Sequence, residues 1–358
     1  MDPITQAALG AALAQSVIGE RLGRRAWWLG ALGGMAPDLD VLIRSAGNPL
    51  LELEFHRHFT HSLAFIPIGG LLVALPFLLR ERGDDSRRQR AWILAATTLG
   101  WATHGLLDAT TSYGTMLWWP FSHQRVAWNF ISVIDPIYTL ALIVGVVVAA
   151  RRTGKLASDD PALRRRVRMP ALIGLLVASL YMLLGVVQHA RADASQRALA
   201  HERGHTIVHA RVDTFMFTNL LWRSTYLDDQ GSLHADTIAL PWWASARVHA
   251  GASTPALLLA PDWPSQAPTQ RERDLGLFAW FADGLLYVSP EDPREDPPED
   301  PRELGRVRIC DGRYSAEPGE FDGMFCVWVG PEGVESFERN TPRDAGRYFA
   351  RMAELIAR

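Results

Sequence analysis

Four long apolar runs constrain the fold of this chain more than any other feature. Each is about 17 to 20 residues long, which is the helix length that crosses a hydrocarbon core of roughly 30 Å. The sequence therefore predicts four membrane helices, and buried helices of a soluble protein are the alternative. The runs extend from Ser62 to Leu79, from Ala91 to Leu107, from Ile131 to Ala150 and from Pro170 to Gln188.

Two shorter apolar stretches precede these runs, from Ile4 to Ile18 and from Ala26 to Ala36. The first has neither a basic leading region nor a cleavage site, so it does not resemble a removable signal peptide. We interpret both as short or partly inserted membrane helices. The predicted fold is thus a mainly α integral membrane domain over residues 1–189, a helical bundle of four long membrane helices and two short N-terminal ones.

Residues 190–358 are more polar and predict a small α+β extramembrane domain. A helical linker over 191–205 leads into it, a helix ends it over 343–358, and the acidic, proline-rich segment 289–301 predicts a disordered loop. The spacing of Cys310 and Cys326 leaves open whether they form a disulfide or remain free thiols. Runs of β-branched and aromatic residues predict strands at 207–217, 220–227, 285–288, 307–309 and 325–329.

The distribution of charge predicts the orientation of the chain in a membrane. The net charge of −3 gives no indication of a nucleic-acid partner. Fifteen basic residues lie in alternate loops between the apolar runs, whereas the other two loops hold only Arg44, Arg57 and Arg125. Because positive loops stay in the cytoplasm, we expect a multi-pass protein of a bacterial inner membrane, with the second set of loops and residues 190–358 on the extracytoplasmic side.

Three short stretches carry metal-binding chemistry. Residues 54–62 place His56, His58 and His61 close together, residues 37–40 form a proline-marked turn with two carboxylates, and His104 stands four residues before Asp108 on one helix face. Imidazole and carboxylate groups are ligands of divalent transition metals. We expect a metal site built from Asp38, Asp40, His56, His61, His104 and Asp108, with Asp2 and Asp135 as further ligands or orienting groups.

These motifs, in this order, resemble the YbcI/YdjM family of membrane-bound metal-dependent hydrolases over roughly residues 1–190. The resemblance rests on Met1-Asp2, on residues 37–40 and 56–62, on His104 to Asp108, and on Pro120-Phe121-Ser122 and Asp135-Pro136. Family members often have Thr-His where this chain has Thr5-Gln6, and glutamine is not a strong zinc ligand. The resemblance implies phosphoester hydrolysis, by analogy with zinc-dependent phospholipases C and nucleases.

On this interpretation one or two zinc ions, or manganese, activate a water molecule. Arg57 and Arg125 hold the anion, and His58 or His123 donates a proton to the leaving group. The expected substrate is a lipid-linked or amphiphilic phosphoester at the outer face of the bilayer. The alternatives are a metal-handling or transport protein and a non-catalytic membrane scaffold, and the sequence does not indicate an oligomeric state.

The histidines of the second half carry no such expectation. His201, His205 and His209 have the spacing of one helix face, but Thr206-Ile207-Val208 favours a strand. We therefore expect them on a solvated surface.

Overall fold

A computed structural model describes residues 1–83, 86–153, 161–289, 306–315, 317–340 and 345–357. The chain forms two compact units: Met1–Leu42 with Phe55–Val186, and Ile43–Glu54 with Val187–Arg358. Apart from Ser289, the predicted loop over 289–301 lies outside the described residues.

Nine α-helices occur in the described part of the chain. The short helical turns 36–42, 59–61 and 63–65 lie between them. The helices are α1 (Pro3–Leu22), α2 (Arg25–Met35), α3 (Leu51–Phe55), α4 (Ile66–Leu78), α5 (Ser86–Ala109), α6 (Pro136–Thr153), α7 (Pro161–Glu202), α8 (Gln270–Phe281) and α9 (Ala345–Ala357).

The first unit is held together by unusually close helix packing. A Cβ atom added to Gly10 or Gly100 would lie 2.3 or 2.2 Å from the carbonyl oxygen of Gly30, so only glycine lets α1, α2 and α5 approach this closely. Alanine and larger apolar residues complete the packing, with Ile18, Leu29 and others fully buried between α1, α2, α4 and α5. A second cluster joins α1, α5, α6 and α7.

The predicted bundle of four long membrane helices is wrong. Among the described residues one helix is long and apolar enough to cross a membrane, namely Val167–Glu202 within α7. The helical segments Leu51–His61 and Leu63–Leu78 are bent by 57° relative to each other, and they add a second candidate only if the bent pair is counted as one span. Helices do form at the four predicted positions, but α4 has 13 residues and reaches only about 20 Å. The apolar character of α5 is interrupted by threonines and by His104 and Asp108, and α6 ends on Arg151 and Arg152.

The second unit is built on a larger sheet than the small domain that the sequence predicts. Its strands in the described chain are β1 (Ile207–Thr214), β2 (Leu221–Asp228), β3 (Ser232–Ala239), β4 (Arg247–His249), β5 (Ser253–Leu257), β6 (Leu286–Ser289), β7 (Val307–Asp311), β8 (Phe325–Val329) and β9 (Val334–Arg339). These nine strands form one antiparallel sheet in the order β1-β2-β3-β5-β6-β7-β8-β9, with β4 paired to β3.

The five predicted strands correspond to β1, β2, β6, β7 and β8. The other four were missed because their residues are mixed in character: β3 reads Ser-Leu-His-Ala-Asp-Thr-Ile-Ala, and β4 has only three residues. Cys310 and Cys326 are partners in the β7–β8 register and form a disulfide, which settles the alternative that their spacing left open. The predicted linker helix is the end of α7, and the predicted C-terminal helix is α9.

Candidate metal centre

Two buried imidazoles face each other in the first unit. The Nε2 atoms of His61 and His104 lie 2.8 Å apart, and both side chains are fully buried. His104 lies near the end of α5, and His61 closes the short helical turn 59–61. A Cβ atom on Gly105 would lie 2.0 Å from the carbonyl oxygen of His61, so glycine at this position allows α5 and the turn to meet.

The other nitrogen of each ring has a fixed hydrogen-bond partner. Nδ1 of His104 lies 2.5 Å from the carbonyl oxygen of Gly34, which can only accept. Nδ1 of His61 lies 3.1 Å from Oδ2 of Asp40 and 2.9 Å from Oγ1 of Thr60. These contacts place a proton on Nδ1 of each ring, so the two Nε2 atoms, with the carboxylate oxygens beside them, are the positions that a further proton or a metal ion would occupy.

Two carboxylates complete the group. Oδ1 of Asp38 lies 3.3 Å from Nε2 of His104 and 3.6 Å from Nε2 of His61. Oδ2 of Asp108 lies 3.3 Å from Nε2 of His61. Asp108 is fully buried, whereas the side chain of Asp38 is 21% exposed. One ligand atom from each of Asp38, His61, His104 and Asp108 lies within 4.8 Å of the others.

This donor set fits a divalent metal ion. Two imidazole lone pairs and two carboxylate oxygens are the nitrogen and oxygen ligands of a four-coordinate zinc site. The two Nε2 atoms, 2.8 Å apart, and the neighbouring carboxylate oxygens can share a proton, and a metal ion that binds here displaces that proton. Burial by itself would raise the pKa of Asp38, but the hydrogen bonds from His104 and His61 bring that pKa well below its ordinary value. Asp38 is thus a carboxylate at neutral pH, as a ligand must be.

Asp40 and His56 form an adjoining pair. Nδ1 of His56 lies 2.9 Å from Oδ1 of Asp40, and the other oxygen of Asp40 accepts from the backbone of Arg57 and from Thr60. Burial raises the pKa of Asp40, but the hydrogen bonds from His56 and His61 outweigh that effect and lower it. The structure thus places Asp40 behind His61, where it orients the ring, and His56 at the edge with a side chain 21% exposed.

The position of the family's missing histidine is filled by a hydrogen-bond donor. Nε2 of Gln6 donates to Oδ1 of Asp108 at 2.8 Å, and the side chain of Gln6 is fully buried. The backbone nitrogen of Met1 also contacts Oδ1 of Asp108. These contacts engage one oxygen of Asp108 and leave Oδ2 directed toward the histidines.

Asp2 and Asp135 lie outside the four-residue group and cap helices. Asp2 accepts from the backbone nitrogens of Ile4 and Thr5 at the start of α1. Asp135 accepts from the backbone of Ile137 and Tyr138 at the start of α6, and from the hydroxyl of Tyr181 at 2.8 Å. Side chains of this kind satisfy the free amides of a first helical turn.

The predicted anion-binding and acid–base residues are dispersed around the centre. Nε of Arg57 lies 3.0 Å from Oδ2 of Asp108, and its Nη1 donates to Thr111. Arg125 donates to the carbonyls of Tyr113 and Gly114. His58 is buried beside the rings of Phe55, Phe59 and Trp119, and His123 is exposed.

Sequence reasoning missed several residues that shape the site. Gly34 supplies the carbonyl oxygen that Nδ1 of His104 contacts, and nothing in the sequence of its helix marks that role. The ring of Tyr113 contacts His56 and lies beneath the guanidinium groups of Arg57 and Arg125, at 4.9 and 5.0 Å. A second possible metal-binding group, His205, Asp228 and His234, was also missed because its members are not close in the sequence.

The first unit thus combines a buried His/Asp group that can hold a metal ion with part of a helix that is long and apolar enough to cross a membrane, as expected of a membrane protein with a metal centre. Residues 1–192 match the sequence profile described as "YdjM inner membrane protein", and the chain belongs to this family. The membership predicted from the motifs is therefore confirmed, as is an inner-membrane location.

The chain is also similar to the inner membrane protein YbcI of Escherichia coli (strain K12). The two are 33% identical over 129 residues, which cover 35% of this chain and 69% of YbcI. No solved structure matches the chain.

Proposed function

We propose that this protein is a metal-dependent hydrolase of phosphoesters, with a zinc ion bound by Asp38, His61, His104 and Asp108. The observation that carries the proposal is the convergence of two buried imidazole Nε2 atoms, 2.8 Å apart, with carboxylate oxygens of Asp38 and Asp108. The carboxylates of Asp38 and Asp40 lie beside these rings, and Asp108 contacts both Arg57 and the Met1 nitrogen. A divalent cation would take the place of the proton that the histidines and carboxylates otherwise share.

The residues around the ion have separate roles in this proposal. A bound zinc ion would supply a Lewis acid and a water molecule with a lowered pKa. Asp40 and the Gly34 carbonyl hold the two rings, and Arg57 holds Asp108. Asp38 and His56 are the partly exposed members, so substrate approaches from their side. We assign proton transfer to His56, whose ring centre lies 6.3 Å from that of His61.

The surface next to the ligands favours an amphiphilic substrate. Leu39 and Leu42 share the helical turn 36–42 with Asp38 and Asp40, and they are 63% and 65% exposed. Trp118, Phe121 and Trp128 are exposed on the 109–130 loop of the same unit. Apolar side chains beside a metal site in an inner membrane protein suit a phosphoester with a lipid tail.

The disulfide supports an extracytoplasmic location for the second unit. Cys310 and Cys326 are buried and bonded, and such bonds persist in oxidising compartments and are rare in the cytosol. Alkylation of intact cells before and after reduction tests this location. Thiols that become reactive only after reduction support it, whereas free thiols in non-reduced cells place the unit in the cytoplasm.

The function is tested first by metal content and then by turnover. Full-length protein in detergent micelles is compared with His104→Ala and Asp108→Asn, and with His123→Ala as an exposed-histidine control. We expect the two site variants to hold about one zinc equivalent fewer than wild type and the control. Metal-loaded protein is then assayed with a nitrophenyl phosphodiester and with a phospholipid in mixed micelles.

Turnover that requires metal and disappears in Asp108→Asn supports the hydrolase. Zinc binding without turnover of either probe overturns the catalytic proposal and favours a metal-handling protein. Equal zinc content in reconstituted wild type and in both site variants overturns the metal centre as well and favours a scaffold.

A further inference from the structure

We infer that the second unit carries a separate zinc site formed by His205, Asp228 and His234. One ligand atom from each of these side chains lies within 4.8 Å of the others. The rings of His205 and His234 are 4.4 Å apart between centres and tilted by 30°. None of the three belongs to the centre in the first unit.

The β2–β3 hairpin brings two of the ligands together. Tyr226 and His234 are direct partners in the antiparallel register, so their side chains are on the same face of the sheet. Asp228 follows Tyr226 by two residues and shares that face. Asp228 also begins the hairpin turn, which Gly231 completes with a φ of 82°.

The end of α7 adds the third ligand. The helix ends at Glu202, and Gly204 adopts a φ of 73° in the left-handed region. The backbone nitrogen of His205 then bonds to the carbonyl of Ala200, and that of Gly204 to His201, as in a Schellman motif. The backbone changes direction at this motif, and the ring of His205 packs against the rings of Tyr226 and His234.

Hydrogen bonds orient Asp228 and His205 in the way that partners of metal ligands do. Oδ1 of Asp228 accepts from the backbone of Gln230 and Ser232, and Oδ2 is left 2.8 Å from Nε2 of His234. Nδ1 of His205 lies 2.9 Å from the hydroxyl of Tyr226, so its Nε2 is available to an ion.

Further polar contacts fix the hydroxyl of Tyr226. Its hydroxyl accepts from Arg203, and Arg203 makes a two-point contact with the buried carboxylate of Asp236 at 2.8 and 2.9 Å. A chain of polar contacts thus extends from a buried aspartate to the imidazole of His205. A histidine on a solvated surface does not need such a network of hydrogen bonds to orient its ring.

The chemistry of the group indicates zinc with an open coordination position. Two imidazoles and one carboxylate are the protein ligands of many zinc sites that leave a place for water. His205 and His234 are half-buried, so an ion can reach them from solvent, and Asp228 is buried. Exposed carbonyl or carboxylate groups alone would favour calcium or magnesium instead.

Metal stoichiometry of the full-length protein tests the inference. Zinc-reconstituted wild type is compared with His234→Gln, with His205→Gln and with His209→Gln. His209 is the matched control, since it lies on neighbouring β1 and contacts Asp283 at 3.2 Å. We expect the first two variants to hold about one zinc equivalent fewer than wild type and the control to hold the same amount.

A cobalt titration gives a second, spectroscopic measure of the same difference between wild type and the site variants. The visible absorption of four-coordinate cobalt should decrease by the contribution of one site in His234→Gln and His205→Gln. If His234→Gln does not fold, His205→Gln decides, because His205 lies outside the strands. Equal zinc and cobalt binding in wild type and in both site variants would overturn the inference.

Discussion

Among single residues, Asp40 has the clearest supporting role at the metal centre. Its two oxygens contact Nδ1 of His56 and Nδ1 of His61, at 2.9 and 3.1 Å. Asp40→Asn removes the negative charge that favours a proton on Nδ1 of His56 and of His61, so both rings lose their fixed orientation. We expect zinc affinity to fall about 10- to 100-fold.

A zinc titration against a competing chelator measures that change. Asp38→Asn is the comparison, because it removes a ligand itself and should weaken binding more. Equal affinity in wild type and Asp40→Asn would contradict the orienting role.

Arg57 is the residue whose loss should cost most stability. It is buried, it pairs with fully buried Asp108, and its backbone adopts a φ of 62°. Removal of one partner from a buried pair typically costs about 3–5 kcal/mol, because the remaining buried charge loses the cation that faces it. Arg57→Gln should therefore unfold at a clearly lower temperature in detergent.

Arg25→Gln is the control for this prediction. Arg25 pairs with Glu81 in the same unit, but its side chain is 39% exposed, and a pair of this kind contributes at most about 1 kcal/mol. If the two variants lose equal stability, Arg57 does not hold Asp108 in the way described.

At the scale of elements, the contact between α5 and the turn 59–61 determines whether the site forms. Gly105→Ala would introduce a Cβ atom 2.0 Å from the carbonyl oxygen of His61, so the turn must move. Overpacking of this kind costs about 1–3 kcal/mol, and we expect the displaced His61 to weaken zinc binding by about tenfold or more.

Leu106→Ala is the matched control, since Leu106 is the next residue of α5 and is 43% exposed. Zinc titration and thermal unfolding of both variants measure the effect. Wild-type zinc affinity in Gly105→Ala would show that the turn tolerates the displacement.

At the scale of the whole molecule, the disulfide stabilises the sheet of the second unit. It joins the adjacent strands β7 and β8 across a sequence separation of 16 residues. Closing a loop of about 15 residues contributes about 3 kcal/mol in the chain-entropy account. We expect the double variant Cys310→Ser with Cys326→Ser to unfold at a lower temperature than wild type.

Reductant provides the control. It should lower the unfolding temperature of wild type toward that of the double variant and leave the double variant unchanged. Identical unfolding of the two proteins under oxidising conditions would contradict a stabilising bond.

The sequence by itself determined the family and the residues from which the centre is built. The motifs from Met1-Asp2 to Asp135-Pro136 are local, and the spacing of His104 and Asp108 places both on one helix face whatever surrounds them. Strands such as Phe325–Val329 were predictable for the same reason, because their apolar and β-branched content is a property of neighbouring residues.

Only the tertiary structure decided which residues meet. Asp38, His61, His104 and Asp108 converge through the helix packing that Gly10, Gly30, Gly100 and Gly105 allow, and His56 and Asp40 lie beside them. The disulfide and the group of His205, Asp228 and His234 depend on strand register, and the number of candidate spans depends on where helices actually end. These are contacts between distant segments, and their free energy comes from packing that no local pattern contains.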